Sequence, residues 1–177
     1  MNAAAKNAAE YAATERLRDG AVLTIRALRP GDRDEMLAAV GRSSQQTLYR
    51  RFFAPKRNFS ESEVEFFLNV DFKSHVALVA VLSEDGREVI AGGTRYVVSR
   101  QGCAEVAFVV DDPHQKRGIA GRLITHLVAI ARTAGLDEFV AEVLPENAPM
   151  LKVFERCGLA MTTHSERGVM HVRLALS

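Results

Sequence analysis

The segment Val110–Gly121 limits the possible folds of this chain more than any other stretch. It follows an apolar, β-branched run and leads into the longest amphipathic helix that the sequence predicts, Gly118–Ala134. The first turn of a helix has backbone N–H groups without acceptors and the positive end of the helix dipole. Because Gly118, Ala120 and Gly121 are small, an anion could approach this backbone closely. The segment therefore predicts either a phosphate-binding strand–turn–helix unit or a tightly packed helix start with solvated basic residues.

The hydrophobic pattern predicts strands and helices on both sides of this unit. The predicted strands are Val22–Leu28, His75–Leu82, Glu88–Val98, Ala104–Val110, Phe139–Leu144, Leu159–Thr163 and Val169–Leu176. Helices are predicted to begin at Asp32 and at Ser60, with further helices at Gly118–Ala134 and Ala148–Cys157. This order predicts an α+β fold, a mixed, mostly antiparallel sheet with helices on both faces. Residues 1–20 are expected to be a tail or a short helix, and residues 21–177 a single domain.

The composition argues against several classes of function. The chain has 23 basic and 22 acidic residues and a net charge of +1, so we expect neither nucleic acid nor an anionic membrane as a partner. The two cysteines, Cys103 and Cys157, are far apart and indicate neither a disulfide framework nor a zinc site. The histidines show no metal-binding spacing, so no metal is expected. The absence of a signal-type or membrane-spanning apolar run predicts a cytoplasmic protein.

A second motif lies in the next strand–helix unit, where Asn147 opens a helix that ends at Cys157–Leu159. By itself, Asn147 could simply cap this helix. Together with Gln115–Ala120, which reads Gln-Lys-Arg-Gly-Ile-Ala, this block resembles the GCN5-related N-acetyltransferase (GNAT) superfamily and its Q/R-x-x-G-x-G/A signature. The resemblance extends from the first predicted strand to the C-terminus. It implies a GNAT acetyltransferase domain in which two strands splay apart, here Ala104–Val110 and Phe139–Leu144.

The resemblance also implies acetyl-CoA as the acyl donor, with pantetheine along the third meander strand and pyrophosphate on the main chain of the turn. The implied cofactor-binding residues are Phe108, Val109, Val110, Gln115, Lys116, Arg117, Gly118, Ile119, Ala120, Gly121 and Asn147. Many GNAT members have a tyrosine, four residues before the glycine of the last block, that protonates the departing thiolate. This chain has Phe154 there, and a phenyl ring donates no proton. The thiolate then leaves unassisted, or water supplies the proton.

Three further stretches resemble the catalytic domain of bacterial protein lysine acetyltransferases, which act on acyl-CoA synthetases. These are Arg29–Arg33, Thr47–Phe53 and Ala104–Phe108. The resemblance implies direct acetyl transfer to a protein lysine in a ternary complex, by a monomer or homodimer. The candidate acceptor-side residues are Tyr49, Arg50, Arg51 and His75. The stretch around Tyr49 is equally well explained as a surface loop anchored by phenylalanines.

Glu105 is the candidate general base, since a glutamate at this place is the base in the resembled enzymes. A lysine amine has a pKa of about 10.4 and must lose a proton before it attacks. Apolar neighbours are expected to raise the pKa of Glu105, unless it simply faces solvent. His75 is the alternative base, and the N–H of Val110 is a candidate donor to the oxyanion. Two other functions stay open: a small-molecule amine N-acetyltransferase, and a non-catalytic acyl-CoA-binding sensor.

Overall fold

The computed structural model describes residues 7–56 and 58–177, and this part of the chain contains eight strands and five α-helices. The strands are β1 Ala12–Arg16, β2 Val22–Ala27, β3 His75–Glu84, β4 Arg87–Arg100, β5 Cys103–Val110, β6 Glu138–Val143, β7 Met161–Glu166 and β8 Val169–Ala175. The helices are α1 Arg33–Arg42, α2 Gln45–Phe52, α3 Glu61–Leu68, α4 Ile119–Thr133 and α5 Ala148–Arg156. Short 3-10 turns lie at Ala8–Glu10, Pro30–Asp32 and Asp112–His114.

All strands join one sheet in the order β1-β2-β3-β4-β5-β6-β8-β7. Only β5 and β6 run parallel, which confirms the predicted mixed, mostly antiparallel sheet. The ladder between β5 and β6 starts at Cys103 with Glu138 and ends at Glu105 with Val140. Beyond this point the strands separate, as the GNAT resemblance implied. We call the gap between Val106–Val110 and Ala141–Val143 the fork.

The two faces of the sheet are covered by different helices. Helices α4 and α5 lie on one face, over a large apolar core that includes Leu23, Leu123, Leu127, Phe139 and Phe154, each at most 1% exposed. Burying one such side chain stabilises the fold by about 1.5–3 kcal/mol. The other face carries α1, α2 and α3 over a smaller apolar cluster. The fork therefore lies between two layers of helices.

Local sequence signals explain where the elements begin and turn. The Ser60 side chain accepts a hydrogen bond from the N–H of Glu63, whose carboxylate accepts from the N–H of Ser60 at 2.8 Å. This capping box starts α3, as predicted. Asp85 and Gly86 have φ of 50° and 75°, which suits the tight turn that joins β3 to β4. Gly135, with φ of 77°, ends α4 at the predicted position.

Two expectations are wrong. Residues 12–16 form the edge strand β1, whereas a tail or helix was expected for residues 1–20; residues 1–6 lie outside the described part. This strand buries Ala13 and pairs along its whole length with β2, so tertiary pairing outweighs the helix propensity of its alanines. The alternative of a surface loop around Tyr49 is also wrong, because this stretch belongs to α2, which begins after the cap Ser44 and has Phe53 as its C-cap. No described helix has the length and apolarity needed to cross a bilayer.

Candidate active site

The turn between β5 and α4 has an open, donor-rich geometry. Lys116 and Gly118 have φ of 63° and 84°, and these two left-handed residues lead the chain abruptly into α4. Gly118 is the N-cap and supplies no side-chain acceptor, so the first-turn N–H groups of Ile119, Ala120 and Gly121 are free for a ligand. A Cβ added at Gly118 would meet no atom within 4 Å. The turn therefore fits the pyrophosphate that the sequence predicted for it.

A buried polar network holds this turn in place. His114 is buried and lies between two carboxylates, with Nδ1 against Asp111 and Nε2 at 2.6 Å from Glu84. Asp111 also accepts a hydrogen bond from Nε of Arg42 at 2.7 Å. These contacts connect the turn to the end of β3 and to α1.

Gln115 has a structural role in the turn. Its amide nitrogen donates to the carbonyl of Val110 and to the hydroxyl of Thr47, both at 3.0 Å. The predicted contact of Gln115 with acetyl-CoA stays a prediction. What the structure shows is that this side chain ties the turn to β5 and to α2.

The positive charge of the turn is smaller than its three basic residues suggest. Arg117 forms a salt bridge with Asp19 at 2.8 Å, and Arg122 forms one with Glu15. Both carboxylates come from the β1–β2 hairpin, which the sequence did not place here. Lys116 is exposed. The positive electrostatic potential at the turn therefore comes mainly from Lys116 and the N-terminus of α4. Arg117 and Arg122 contribute less, because carboxylates neutralise part of their charge.

The open edge of β5 and the start of α5 meet at the fork. Phe108 turns its ring into the core, while Val109 lines a cavity on the opposite face and Val110 ends the strand. The Asn147 side chain accepts a hydrogen bond from the N–H of Met150 at 3.4 Å, so its capping role is shown. Its contact with a bound thioester remains a prediction.

Glu105 lies where the two strands begin to separate. It is the last β5 residue paired with β6, and its partner in the β4–β5 ladder is Val97. Its side chain is exposed, so the enclosing apolar environment that the sequence suggested is absent around this described residue. Glu105 shares a face of β5 with Ala107 and Val109, and this face is the one under α1–α3.

A cavity of about 100 Å³ lies between this face of the sheet and α1–α3. Its walls are mainly apolar and include three phenylalanines: Phe52 of α2, Phe67 of α3, and Phe59 from the segment between these helices. Two arginines, Arg51 of α2 and Arg95 of β4, also line it. Burial lowers the pKa of Arg51 to about 10, and the negative charge of Glu105 offsets part of this effect. Arg51 thus lines the cavity, and Glu105 lies on the same face of β5 as the cavity-lining Ala107 and Val109.

His75 contacts the same group of residues but is already engaged. Nη1 of Arg95 lies 2.9 Å from Nε2 of His75, and because a guanidinium only donates, this imidazole nitrogen is the acceptor. Burial, together with the charge of Arg95, lowers the pKa of His75. The neutral imidazole thus has its basic lone pair directed at Arg95. This arrangement favours Glu105 over His75 as the base.

The predicted acceptor-side residues divide between two sides of α2. Arg51 lines the cavity just described, whereas Tyr49 and Arg50 line a second cavity of about 330 Å³ that also contacts Glu146. Nη2 of Arg50 is 3.4 Å from the carbonyl oxygen of Glu146, in the loop after β6. Helix α2 therefore carries Arg51 on the side that faces the first cavity and Arg50 on the side that faces the second.

Phe154, which stands where a tyrosine acid was expected, is buried in the core. It is 1% exposed and packs edge-to-face on Phe108 with ring centroids 5.7 Å apart. The ring thereby supports the strand expected to bind pantetheine. Its role in the structure is packing.

Sequence reasoning missed two groups of residues. Arg95 was passed over, although an arginine inside the apolar run of β4 was a visible signal. His164, Glu166 and His171 form an exposed cluster on the β7–β8 hairpin, with possible ligand atoms within 4.8 Å of one another. His164 and His171 meet only because of the strand register, so their spacing gave no metal-binding signal. The prediction that the protein binds no metal therefore stays a prediction.

Comparisons with known proteins agree with this geometry. Residues 44–159 match the model of the acetyltransferase (GNAT) family. The chain belongs to the GNAT family. Acetyltransferase Pat from Mycolicibacterium smegmatis is 33% identical over 158 residues, which cover 87% of this chain and 46% of that protein. This chain thus spans about half the length of that relative.

Two solved structures extend the comparison. The GNAT domain of S. lividans PAT is 34% identical, with a TM-score of 0.84 over 93% of this chain and 96% of that one. The cAMP-binding acyltransferase from Mycobacterium smegmatis is 27% identical, with a TM-score of 0.63 over 94% of this chain and 48% of that one. The predicted resemblance to GNAT enzymes, and among them to bacterial protein acetyltransferases, is confirmed.

Proposed function

We propose that this GNAT-family chain transfers an acetyl group from acetyl-CoA to the side chain of a protein lysine. The observation that carries the proposal is the position of Glu105, at the point where β5 and β6 separate and on the face of β5 whose next residues, Ala107 and Val109, line the cavity under α1–α3. A carboxylate there can meet an amine that enters from the helical side of the sheet. The similarity to acetyltransferase Pat and to the GNAT domain of S. lividans PAT supports a protein acceptor.

The donor would bind on the turn and along the open edge of β5. The N–H groups of Ile119, Ala120 and Gly121 would hold the pyrophosphate, because they have no acceptor within the helix. The backbone of Phe108–Val110 would pair with the pantetheine arm, since β6 has separated from β5 at these residues. This arrangement directs the thioester toward Glu105.

The acceptor amine needs a base before it can react. A lysine with a pKa of about 10.4 is nearly all ammonium at pH 7, and forming the neutral amine costs roughly 4–5 kcal/mol at 1.36 kcal/mol per pKa unit. The Glu105 carboxylate would take this proton. The amine nitrogen then forms a bond to the thioester carbonyl carbon, the carbon–sulfur bond breaks as the CoA thiolate leaves, and the second proton of the nitrogen passes to water. Such a base contributes about 10²–10⁴-fold to the rate.

Two negative charges develop in the reaction, one on the carbonyl oxygen and one on the leaving sulfur. The N–H of Val110 is our candidate donor to the oxyanion, because a fixed backbone donor stabilises developing charge without reorganisation. Phe154 is buried and has no proton to give, so the thiolate leaves as an anion or takes a proton from water.

The test combines purified protein, labelled acetyl-CoA and a deacetylated lysate of the host. We expect labelled lysines in discrete proteins with the wild type. Glu105→Gln should lose about 10²–10⁴-fold of the rate while it still binds acetyl-CoA by calorimetry. Glu155→Gln, a change at an exposed position on α5, is the matched control and should keep full activity.

Other outcomes separate the alternatives. Transfer to free amines such as polyamines, without protein labelling, would show a small-molecule acetyltransferase. Tight acetyl-CoA binding without transfer to any acceptor would show an acyl-CoA sensor. If Glu105→Gln kept wild-type turnover, the assignment of the base would be wrong.

A further inference from the structure

Two arginines from different elements meet in the cavity under α1–α3. Arg51 comes from α2 and Arg95 from β4, and both line the same space of about 100 Å³. Their guanidinium carbons lie 4.7 Å and 4.8 Å from the ring centres of Phe52 and Phe67, respectively. Aromatic faces favour a cation and hold its position, but they do not neutralise it.

The electrostatic state of this pair is unfavourable in the protein alone. Burial and, to a smaller extent, the charge of Arg51 together lower the pKa of Arg95 to about 9. Burial also lowers the pKa of Arg51, to about 10. In residues 7–56 and 58–177, neither guanidinium forms a salt bridge with a carboxylate, although most other buried charges of the fold are paired. An anion bound between these two positive charges would offset both their mutual repulsion and the cost of their burial.

Internal hydrogen bonds use only part of the donor capacity of this pair. Nη1 of Arg95 donates to the carbonyl of Phe67 at 3.2 Å and contacts Nε2 of His75 at 2.9 Å. A guanidinium carries five N–H donors in a planar fork. Most donors of the pair therefore have no protein acceptor among these contacts and lie along the cavity wall.

We propose that Arg51 and Arg95 bind a carboxylate of the acceptor, so that the preferred acceptor carries an acidic group close to its reactive amine. This inference rests on the proposed function, because it assumes that the amine reaches Glu105. Glu105 lies on the same face of β5 as Ala107 and Val109, which line the cavity together with both arginines. An acceptor whose ammonium group contacts Glu105 and whose carboxylate contacts the arginines would therefore pair with both kinds of charge. The pair would then determine specificity and leave the proton transfer to Glu105.

A carboxylate suits this cavity better than a phosphate does. The planar fork of arginine matches the two carboxylate oxygens, and the phenylalanines provide an apolar wall for the methylene groups beside them. Two sources can supply this chemistry: an aspartate or glutamate next to the target lysine in a protein, or the carboxylate of a free amino acid.

The experiment compares acceptors that differ only in this charge. One series contains peptides with a single lysine and an aspartate or glutamate at the neighbouring positions, each paired with its asparagine or glutamine version. A second series contains free amino acids, each paired with its amide. The kcat/KM for acetyl transfer is measured with the wild type, Arg51→Gln and Arg51→Lys. Arg33→Gln is the matched control, since Arg33 pairs with Glu61 on the exposed surface of α1.

We expect the wild type and Arg33→Gln to favour the acidic acceptor by about 10- to 100-fold, the usual strength of a hydrogen bond to a charged group. Arg51→Gln should lose this preference, and Arg51→Lys should keep part of it. A preference for the acidic member of the peptide pairs would identify a protein acceptor. A preference for the acidic member of the amino-acid pairs would identify a small-molecule acceptor. Equal rates for acid and amide with the wild type, whose folding is not in question, would overturn the inference while the proposed function stands.

A binding measurement covers the case in which no acceptor is turned over. Glutarate and its diamide are titrated into the wild type and Arg51→Gln by calorimetry. Saturable binding of glutarate to the wild type alone would support the arginine site even if the proposed function failed. Equal or absent binding of the two compounds would overturn the site.

Discussion

The ion pair between Arg26 of β2 and Asp32, just before α1, should be one of the most important polar contacts for stability. Both residues are buried, at 6% and 9% exposure, and two parallel N–H···O bonds of 2.8 Å join them. Asp32 also accepts from the N–H of Arg29 at 2.7 Å. The pair fixes the start of α1, which forms part of the cavity roof, so its loss would loosen the acceptor side of the fold.

Asp32→Ala leaves the Arg26 guanidinium charged and without a partner in the protein interior. Removing one partner of a buried pair costs about 3–5 kcal/mol. For a chain of this size, 1 kcal/mol shifts Tm by about 2–4 °C, so we expect a fall of roughly 6–20 °C. Urea unfolding, followed by circular dichroism, measures the free energy directly and should show an unchanged m-value.

Two comparisons test this reasoning. Glu61→Gln breaks the pair with Arg33, whose side chains are 43% and 80% exposed, and should cost under about 1 kcal/mol. The double variant Arg26→Met, Asp32→Leu should be more stable than Asp32→Ala, because no buried charge is left unpaired. If Asp32→Ala cost no more than Glu61→Gln, the argument from burial would be refuted.

The same pair predicts a dependence on pH. Burial alone would raise the pKa of Asp32, but the hydrogen bonds from Arg26 and from the N–H of Arg29 outweigh it, so the pKa is lowered. A carboxylate with a lowered pKa stabilises the fold above its unfolded pKa of about 3.9 and loses this effect as the pH falls through its folded pKa. The difference in unfolding free energy between wild type and Asp32→Ala should therefore be constant above about pH 5 and shrink in acid.

Two further predictions concern His75 and the phosphate-binding turn. Because burial and Arg95 lower the pKa of His75, the folded state binds this proton less readily than the unfolded state does, and stability should fall as the pH drops from 8 to 5. Urea titrations across this range should show a smaller fall for His75→Gln; identical slopes would contradict the assignment. Asp19→Asn should free the charge of Arg117 and lower the KM for acetyl-CoA about twofold at low salt, with the difference vanishing at high salt. A raised KM at low salt would show that the salt bridge is needed to position the turn.

The sequence alone was sufficient for the features that depend on local chemistry. The glycines of the turn before α4, the Ser60 and Glu63 capping box and the Asp85-Gly86 hairpin each require particular residue types at fixed spacing. Their positions could therefore be predicted, and with them the element order from β2 onward except for α2. Glu105 was singled out through family resemblance, since its own surroundings on β5 were consistent with an ordinary solvent-facing residue.

Other features depended on tertiary structure because they join residues that are distant in the chain. His126 of α4 is buried, and its Nε2 lies 2.8 Å from Glu15 of β1, which is more than 100 residues earlier in the chain. The edge strand β1 has weak β propensity and exists because β2 offers it a full ladder. The meeting of Arg51 with Arg95 likewise requires α2 to pack over β4. Local propensity sets the elements, whereas burial and long-range pairing decide which side chains share a site.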